Sequence, residues 1–458
     1  MPAGQSAQDN GQSLMRRKPP RSTLHTIAQR ISHGDADFRE ILRSGALAFG
    51  VKAISAVSAF AMTVVVSREL GATEAGLFFL GLTIVIVVAA ITRLGLDNTL
   101  VRFIASYNIA GTHGEIRRLL VIALLWASAA SILAAIVIAA LADPIANRLF
   151  NKPEFGSVLR TFAPGIPLLA TFTLFAKALQ GVKRVPQSLV VLNVTLPLIL
   201  LALVYLTSPA LASDAAVLYL AAAATSLALG LFWWTTLAPT GTPSGAIDKK
   251  RLIDSCLPLL VIVLLNQIIT WSSQLLLGAW ARPADVALFN AAMRTAMLTS
   301  FVLIAVNSIA APKFAELYSS GELQRLRRTA VATARMTSGV ALFPLAVMLL
   351  VPGPLLSLFG PEFPDAADAL RILAVGQFIN VATGSVGFLL SMTGHERVLR
   401  NNVALAAFIA LLAGVALVPP YGLTGAATAT ALGIATQNLL SLWQVKRLLG
   451  FSTLRTSP

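Results

Sequence analysis

Arg294 stands in the middle of ALFNAAMRTAMLTSF (287–301), a run otherwise made of small, hydroxyl-bearing and apolar side chains. Lys52, Arg93 and Arg335 sit in similarly apolar surroundings, and no aspartate or glutamate lies as deep; the nearest is Asp97. A charged group inside a membrane costs about 2.5–3.5 kcal/mol on insertion scales, so it faces water, a partner or a ligand. Two or three cations around one wet cleft can hold an anion through charge-assisted hydrogen bonds. The chemistry on offer is therefore recognition of an anionic group, with Arg294, Lys52 and Arg93 as its candidate contacts.

Each base also has a simpler reading. Arg93 can pair with Asp97 at i,i+4 or reach the interface, Lys52 can reach the near surface, and Arg335 lies close enough to a helix start to snorkel. Arg294 has no such exit, and it shares a helical stripe with Asn290 and Ser308.

Neutral polar residues supply a second set. Gln267, Thr270 and Gln274 recur at i, i+3 and i+7, with Asn266 and Ser273 alongside, and Gln377, Asn380, Gly384, Gly387 and Ser391 follow another face. Amides and hydroxyls on such faces suit a ligand rich in hydrogen-bonding groups, and equally suit bonds between helices. Asn290, Asn266, Gln267, Thr270, Gln274, Gln377 and Asn380 are the candidate cavity lining.

What must position these groups is a membrane-spanning scaffold. Of 458 residues, 56% are hydrophobic and 12% charged, and mean hydropathy is +0.77, which excludes an ordinary soluble domain. Apolar stretches predict twelve helices centred on 45–66, 75–96, 118–141, 158–178, 186–206, 215–237, 255–280, 286–311, 330–351, 367–392, 401–418 and 423–444. The last two part at Pro419-Pro420-Tyr421-Gly422, where prolines lack backbone donors and glycine allows a reversal.

The net charge of +15 is explained by topology rather than by nucleic acid. With the N-terminus inside, 25 of the 35 lysines and arginines fall in cytoplasmic segments and six outside, placing both termini in the cytoplasm. The N-terminal 40 residues, with Arg16-Arg17-Lys18, have no apolar core and so are not a secretory signal. The single cysteine, Cys256, excludes an internal disulfide and a cysteine-based metal site. No phosphate-binding Gly-Lys-Ser/Thr loop is present, and neither metal nor cofactor is expected.

A shift of 211 residues aligns Ser44 with Ser255, Glu74 with Asp285, Leu77-Phe78 with Leu288-Phe289, Arg102-Phe103 with Lys313-Phe314, and Tyr107 with Tyr318. The chain thus divides into a disordered basic tail (1–39), a six-helix bundle (40–240), a linker (241–254), a second six-helix bundle (255–448) and a short tail (449–458). Six spans per half insert both halves the same way up, and a site between them is the usual result.

Three segments carry a family resemblance: SRELGATEAGLFFLGLTIVIVVAAITRLGLDNTLVRFIASY (67–107), ALFNAAMRTAMLTSFVLIAVNSIAAPKFAEL (287–317) and MTGHERVLRNNVALAAFIALLAGVALVPPYGLTGAATATALG (392–433). They resemble the Wzx-type oligosaccharide flippases of the multidrug/oligosaccharidyl-lipid/polysaccharide exporter superfamily. The resemblance implies an all-α polytopic fold of two six-helix bundles in a V, like that of the multidrug exporters. It implies alternating access in the bacterial inner membrane, moving an undecaprenyl-pyrophosphate-linked oligosaccharide to the periplasmic leaflet for surface polysaccharide synthesis. Its partners would be the lipid-linked cargo, membrane lipids, and the polymerase and glycosyltransferases of the same pathway.

Two rival readings stand beside it. A multidrug exporter of organic cations would want an acid within the membrane, where this chain offers bases. A membrane enzyme acting on lipid-linked sugars would want clustered carboxylates or a large outer loop, and the longest outer loop is about residues 143–157.

Overall fold

The structure, a computed structural model, describes residues 21–241 and 248–454, and their side chains except those of residues 21–49, 305, 308, 309 and 312. Most of the expected linker glycine-proline run (242–247) and the first 20 residues of the expected tail lie outside the described residues. All that follows concerns the compact unit from Ala48 onward.

The described chain is a succession of helices. They are α1 (Arg21–Thr92), α2 (Leu96–Ala110), α3 (His113–Ala140), α4 (Phe155–Gly181), α5 (Val185–Thr207), α6 (Ala212–Leu237), α7 (Lys249–Trp280), α8 (Pro283–Met297), α9 (Phe301–Ser319), α10 (Leu323–Leu350), α11 (Phe363–Met392) and α12 (Glu396–Leu449). Ten stretches of the described residues are long and apolar enough to cross a membrane. Two of them, Gly50–Thr92 and Glu396–Leu449, have 43 and 54 residues, about twice the ~20 that one crossing needs. Both break at a glycine with positive φ, Gly71 (70°) and Gly422 (50°), which raises ten stretches to twelve crossings.

The break in α12 is a tight reversal. Asn402 donates to Ser441 Oγ at 3.3 Å across the hairpin, and a Cβ on Gly425 would lie 2.1 Å from the carbonyl oxygen of Leu417. The two halves also repeat one another in detail. In the first, the segment after Gly71 passes through α2 to Gly111 (φ 73°); in the second, α8 passes through α9 to Gly321 (φ 75°). Leu77, Phe78, Leu288 and Phe289, paired by the 211-residue shift, are all buried.

Packing distinguishes the two ends of the helices. Where the chain turns at Gly71, at 141–154 and at Gly422, one apolar core takes Phe78, Phe162 and Tyr219 from the first half and Leu277, Phe289 and Phe363 from the second. Toward the other end the core divides, one part holding Leu100, Ile116 and Leu174, the other Phe314, Leu326 and Leu389. The first turns of α7 are the exception, because they lean on the first half: Cys256 Sγ lies 3.5 Å from Thr99 Oγ1, and Arg102 donates to Ser255 Oγ at 2.6 Å.

Candidate functional site

Arg294 lies eleven residues into α8, about 16 Å from the shared-core end at 1.5 Å per residue and so near the middle of a ~30 Å hydrocarbon layer. Small residues around it, Ala291, Ala292 and Ala296, are fully buried and bring neighbouring backbones close. The Arg294 side chain is half-buried, and among the described residues no hydrogen bond or ion pair engages it. One turn back, Asn290 is 6% exposed; it donates to Gln274 Oε1 at 3.3 Å, and its own Oδ1 has no partner.

Arg93 is engaged elsewhere. Its Nε lies 2.8 Å from Asp97 Oδ1 and 3.0 Å from Oδ2, and both side chains are little exposed. The i,i+4 pair forms although Gly95 (φ 76°) interrupts the helix between them. Lys52 is half-buried, with no hydrogen bond or ion pair among the described residues. Counted from Gly71, Lys52 and Arg93 lie 19 and 22 residues away, or about 30 Å along α1. The structure therefore sets these two at the divided end and Arg294 midway, rather than bringing all three together. Arg335 is exposed on α10.

The polar residues separate into two groups. Gln274 is 2% exposed, so it lines no open cavity; its Nε2 donates to Thr83 Oγ1 (2.8 Å) and Phe79 O (3.2 Å) of the first half. Asn266 and Thr270 are exposed and bond within their own helix, to Ile262 O and Asn266 O. Gln267 is half-buried with its Nε2 unpartnered. In the second half Ser300 Oγ donates to Gln377 Oε1 at 2.6 Å and accepts from Asn380 Nδ2 at 3.4 Å, a cluster that begins six residues beyond Arg294. The side chain of Ser308 lies outside the described residues.

Two lysines escape sequence reasoning. Lys177 reads as a cytoplasmic base at the very end of the fourth predicted helix, but α4 continues to Gly181, which leaves it half-buried within electrostatic range of Arg93 and Asp97. Lys152, which reads as an outer-loop base, is 6% exposed and donates to Phe150 O (3.1 Å) and Gly278 O (2.6 Å). Burial pushes its ammonium below the usual lysine range, against the upward pull of Glu154 and Asp285. No periodicity marks either residue, because each depends on which segment packs over it.

The family description Polysaccharide biosynthesis protein matches residues 41–318, and the MatE description matches 258–415. The chain belongs to the polysaccharide biosynthesis protein family. With both descriptions matched, it is a multi-pass, all-α member of the MOP superfamily. Among curated relatives of the family, the probable flippase AglR of Haloferax volcanii is 23% identical over 177 residues, 38% of this chain and 37% of that protein. The match spans about a third of the length of the curated relatives. The lipid II flippase MurJ in an inward closed conformation shares the fold with a TM-score of 0.70 at 11% identity, over 87% of each chain. An inward-facing MATE family multidrug transporter shares it at 0.68 and 17% identity, over 86% of this chain and 94% of the other.

Proposed function

We propose that this protein is a flippase that carries an undecaprenyl-pyrophosphate-linked oligosaccharide from the cytoplasmic to the periplasmic leaflet of the bacterial inner membrane by alternating access. The observation that carries the reading is Arg294: a permanent cation midway through the membrane, with neither carboxylate nor hydrogen-bond partner among the described residues. Such a group is costly unless a ligand completes it, and a diphosphate does so with oxygens matched to the guanidinium fork. The names of AglR and MurJ, both flippases, support the same reading.

In this reading both termini are cytoplasmic, so the shared core closes the periplasmic end and the divided end opens inward. Lys52, at the open end, meets the head group first; Arg294 holds it at mid-depth. Arg93, tied to Asp97, acts with Lys177 by its field rather than as a free donor. Ser300, Gln377 and Asn380 offer hydroxyl and amide groups to the sugars. The cargo leaves chemically unchanged. Outward movement of an anionic head group gains about 2.3 kcal/mol per charge per 100 mV of inside-negative potential, so the potential alone can favour export.

The MATE likeness keeps organic-cation export as the second reading. It wants an acid free in the membrane interior, and the deepest described acid, Asp97, is bound to Arg93. The test is complementation of a flippase-deficient strain. Arg294→Ala is expected to insert normally and fail to restore surface polysaccharide, while full activity of that variant would remove the reading; ethidium efflux by the wild-type protein would favour the rival.

A further inference from the structure

Along α7, two cavities follow one another at the seam between the halves. One, of about 400 Å³, is walled by Val87 of α1, by Gln267, Ser272, Leu275 and Leu276 of α7, and by Leu411 of α12. The next, of about 360 Å³, shares Val87, Leu275 and Leu276 with it and continues to Ala279. From Leu264 to Ala279 the pair forms one groove about 22 Å long, most of the ~30 Å hydrocarbon thickness.

Its lining is apolar except for Gln267 and Ser272, and the buried Gln267 Nε2 and Ser272 Oγ have no hydrogen-bond partner. Buried polar atoms left without partners are costly, and these two in the groove lining call for an occupant that supplies them. Bulk acyl chains fill the apolar length but offer these groups nothing. A chain that ends in phosphate oxygens satisfies both parts. The groove also leads to the proposed head-group contact: Gln274, between its lining residues, is bonded to Asn290, one turn from Arg294 on α8.

We propose that this seam along α7 is the binding site for the polyisoprenoid chain of the cargo, with Gln267 and Ser272 taking the oxygens at its junction with the diphosphate. The inference rests on the cargo reading above and adds where the lipid lies: between the halves, not on the outer face.

The test uses the full-length protein in phosphatidylcholine nanodiscs and two probes, undecaprenyl diphosphate and geranyl diphosphate. With each probe's affinity expressed per amount partitioned into the bilayer, the wild-type protein is expected to bind the long chain at least about tenfold tighter, a preference that packing in the groove rather than transfer from water supplies. Leu276→Trp, which fills both cavities, is expected to erase the preference, whereas Arg294→Ala weakens both probes alike. A preference unchanged in Leu276→Trp, or equal binding of both probes by the wild-type protein, overturns the groove and leaves the head-group site standing. Binding of neither probe overturns the cargo reading and the groove with it. Should Leu276→Trp misfold, a diazirine on the long chain decides with wild-type protein: adducts within 264–276 and 84–91 support the site, and adducts confined to the exposed Leu198, Tyr205 and Leu206 of α5 overturn it.

Discussion

The Lys152 ammonium donates a 2.6 Å hydrogen bond to the carbonyl oxygen of Gly278, across the line between the halves. That carbonyl belongs to the last turn of α7, where backbone acceptors lack helical partners and the helix dipole favours a cation. Together with Gln274 on Thr83, this bond ties the shared-core end. Lys152→Met keeps the aliphatic stem and leaves the acceptor bare, at a cost of about 1–3 kcal/mol. Faster hydrogen exchange at residues 277–281 and a lower unfolding midpoint are expected.

The same lysine gives a pH dependence. Packed, its ammonium titrates below the ordinary 10.5; hydrated on opening, it returns to that value. Between the two, the opened form holds the extra proton, so raising pH toward 10.5 favours the packed form. The exchange rate at residues 277–281 should fall with pH in that window after correction for intrinsic exchange, and the slope should vanish in Lys152→Met.

Gly76 meets the start of α8 with no room to spare. A Cβ there would lie 1.8 Å from the Pro283 carbonyl oxygen, a backbone atom that can move only with the helix. Gly76→Ala is expected to force the halves apart at this end, costing about 1–3 kcal/mol or more. Gly339→Ala, where nothing lies within 4 Å, is the control that should leave the unfolding midpoint unchanged or raise it.

Arg93 and Asp97 are worth more as a pair than either alone. Removing one member of a well-buried pair costs about 3–5 kcal/mol, because the other charge stays behind; the 12% and 13% exposure here lowers that somewhat. Asp97→Asn should destabilise the protein more than the double change Arg93→Gln with Asp97→Asn, measured by thermal unfolding in detergent. A double change as damaging as the sum of the single ones would refute the coupling.

Arg294→Lys separates charge from shape. Lysine keeps the cation but loses the two-pronged donor fork. Partial flipping, with weaker retention of a diphosphate probe, is the expected outcome in reconstituted vesicles. Activity equal to that of the wild-type protein would mean that charge alone suffices.

The spans were legible because lipid leaves the backbone no alternative to self-satisfied helices. Long apolar runs therefore fix their number, and the glycines at 71 and 422 fall in the gaps left between predicted helices. The pairing of Arg93 with Asp97 was readable from their i,i+4 spacing. Gln274 shows the limit: helical period puts it on a polar stripe with the exposed Thr270, yet Gln274 itself meets Thr83 and not water. The burial of Lys177 was hidden for a different reason, since helix ends, here Gly181 beyond the expected 178, are set by caps and packing rather than by hydropathy.

By itself the sequence determined an all-α membrane protein, its twelve crossings, its internal repeat and the presence of a base deep in an apolar span at Arg294. Those properties follow from transfer free energies and backbone hydrogen bonding, which act on each segment alone. Tertiary structure alone decided that Lys152 is buried against Gly278, that Gln274 and Asn290 join across helices, and that the core is shared at one end and divided at the other. These depend on which surfaces meet, and contacts between different helices leave no local period to read.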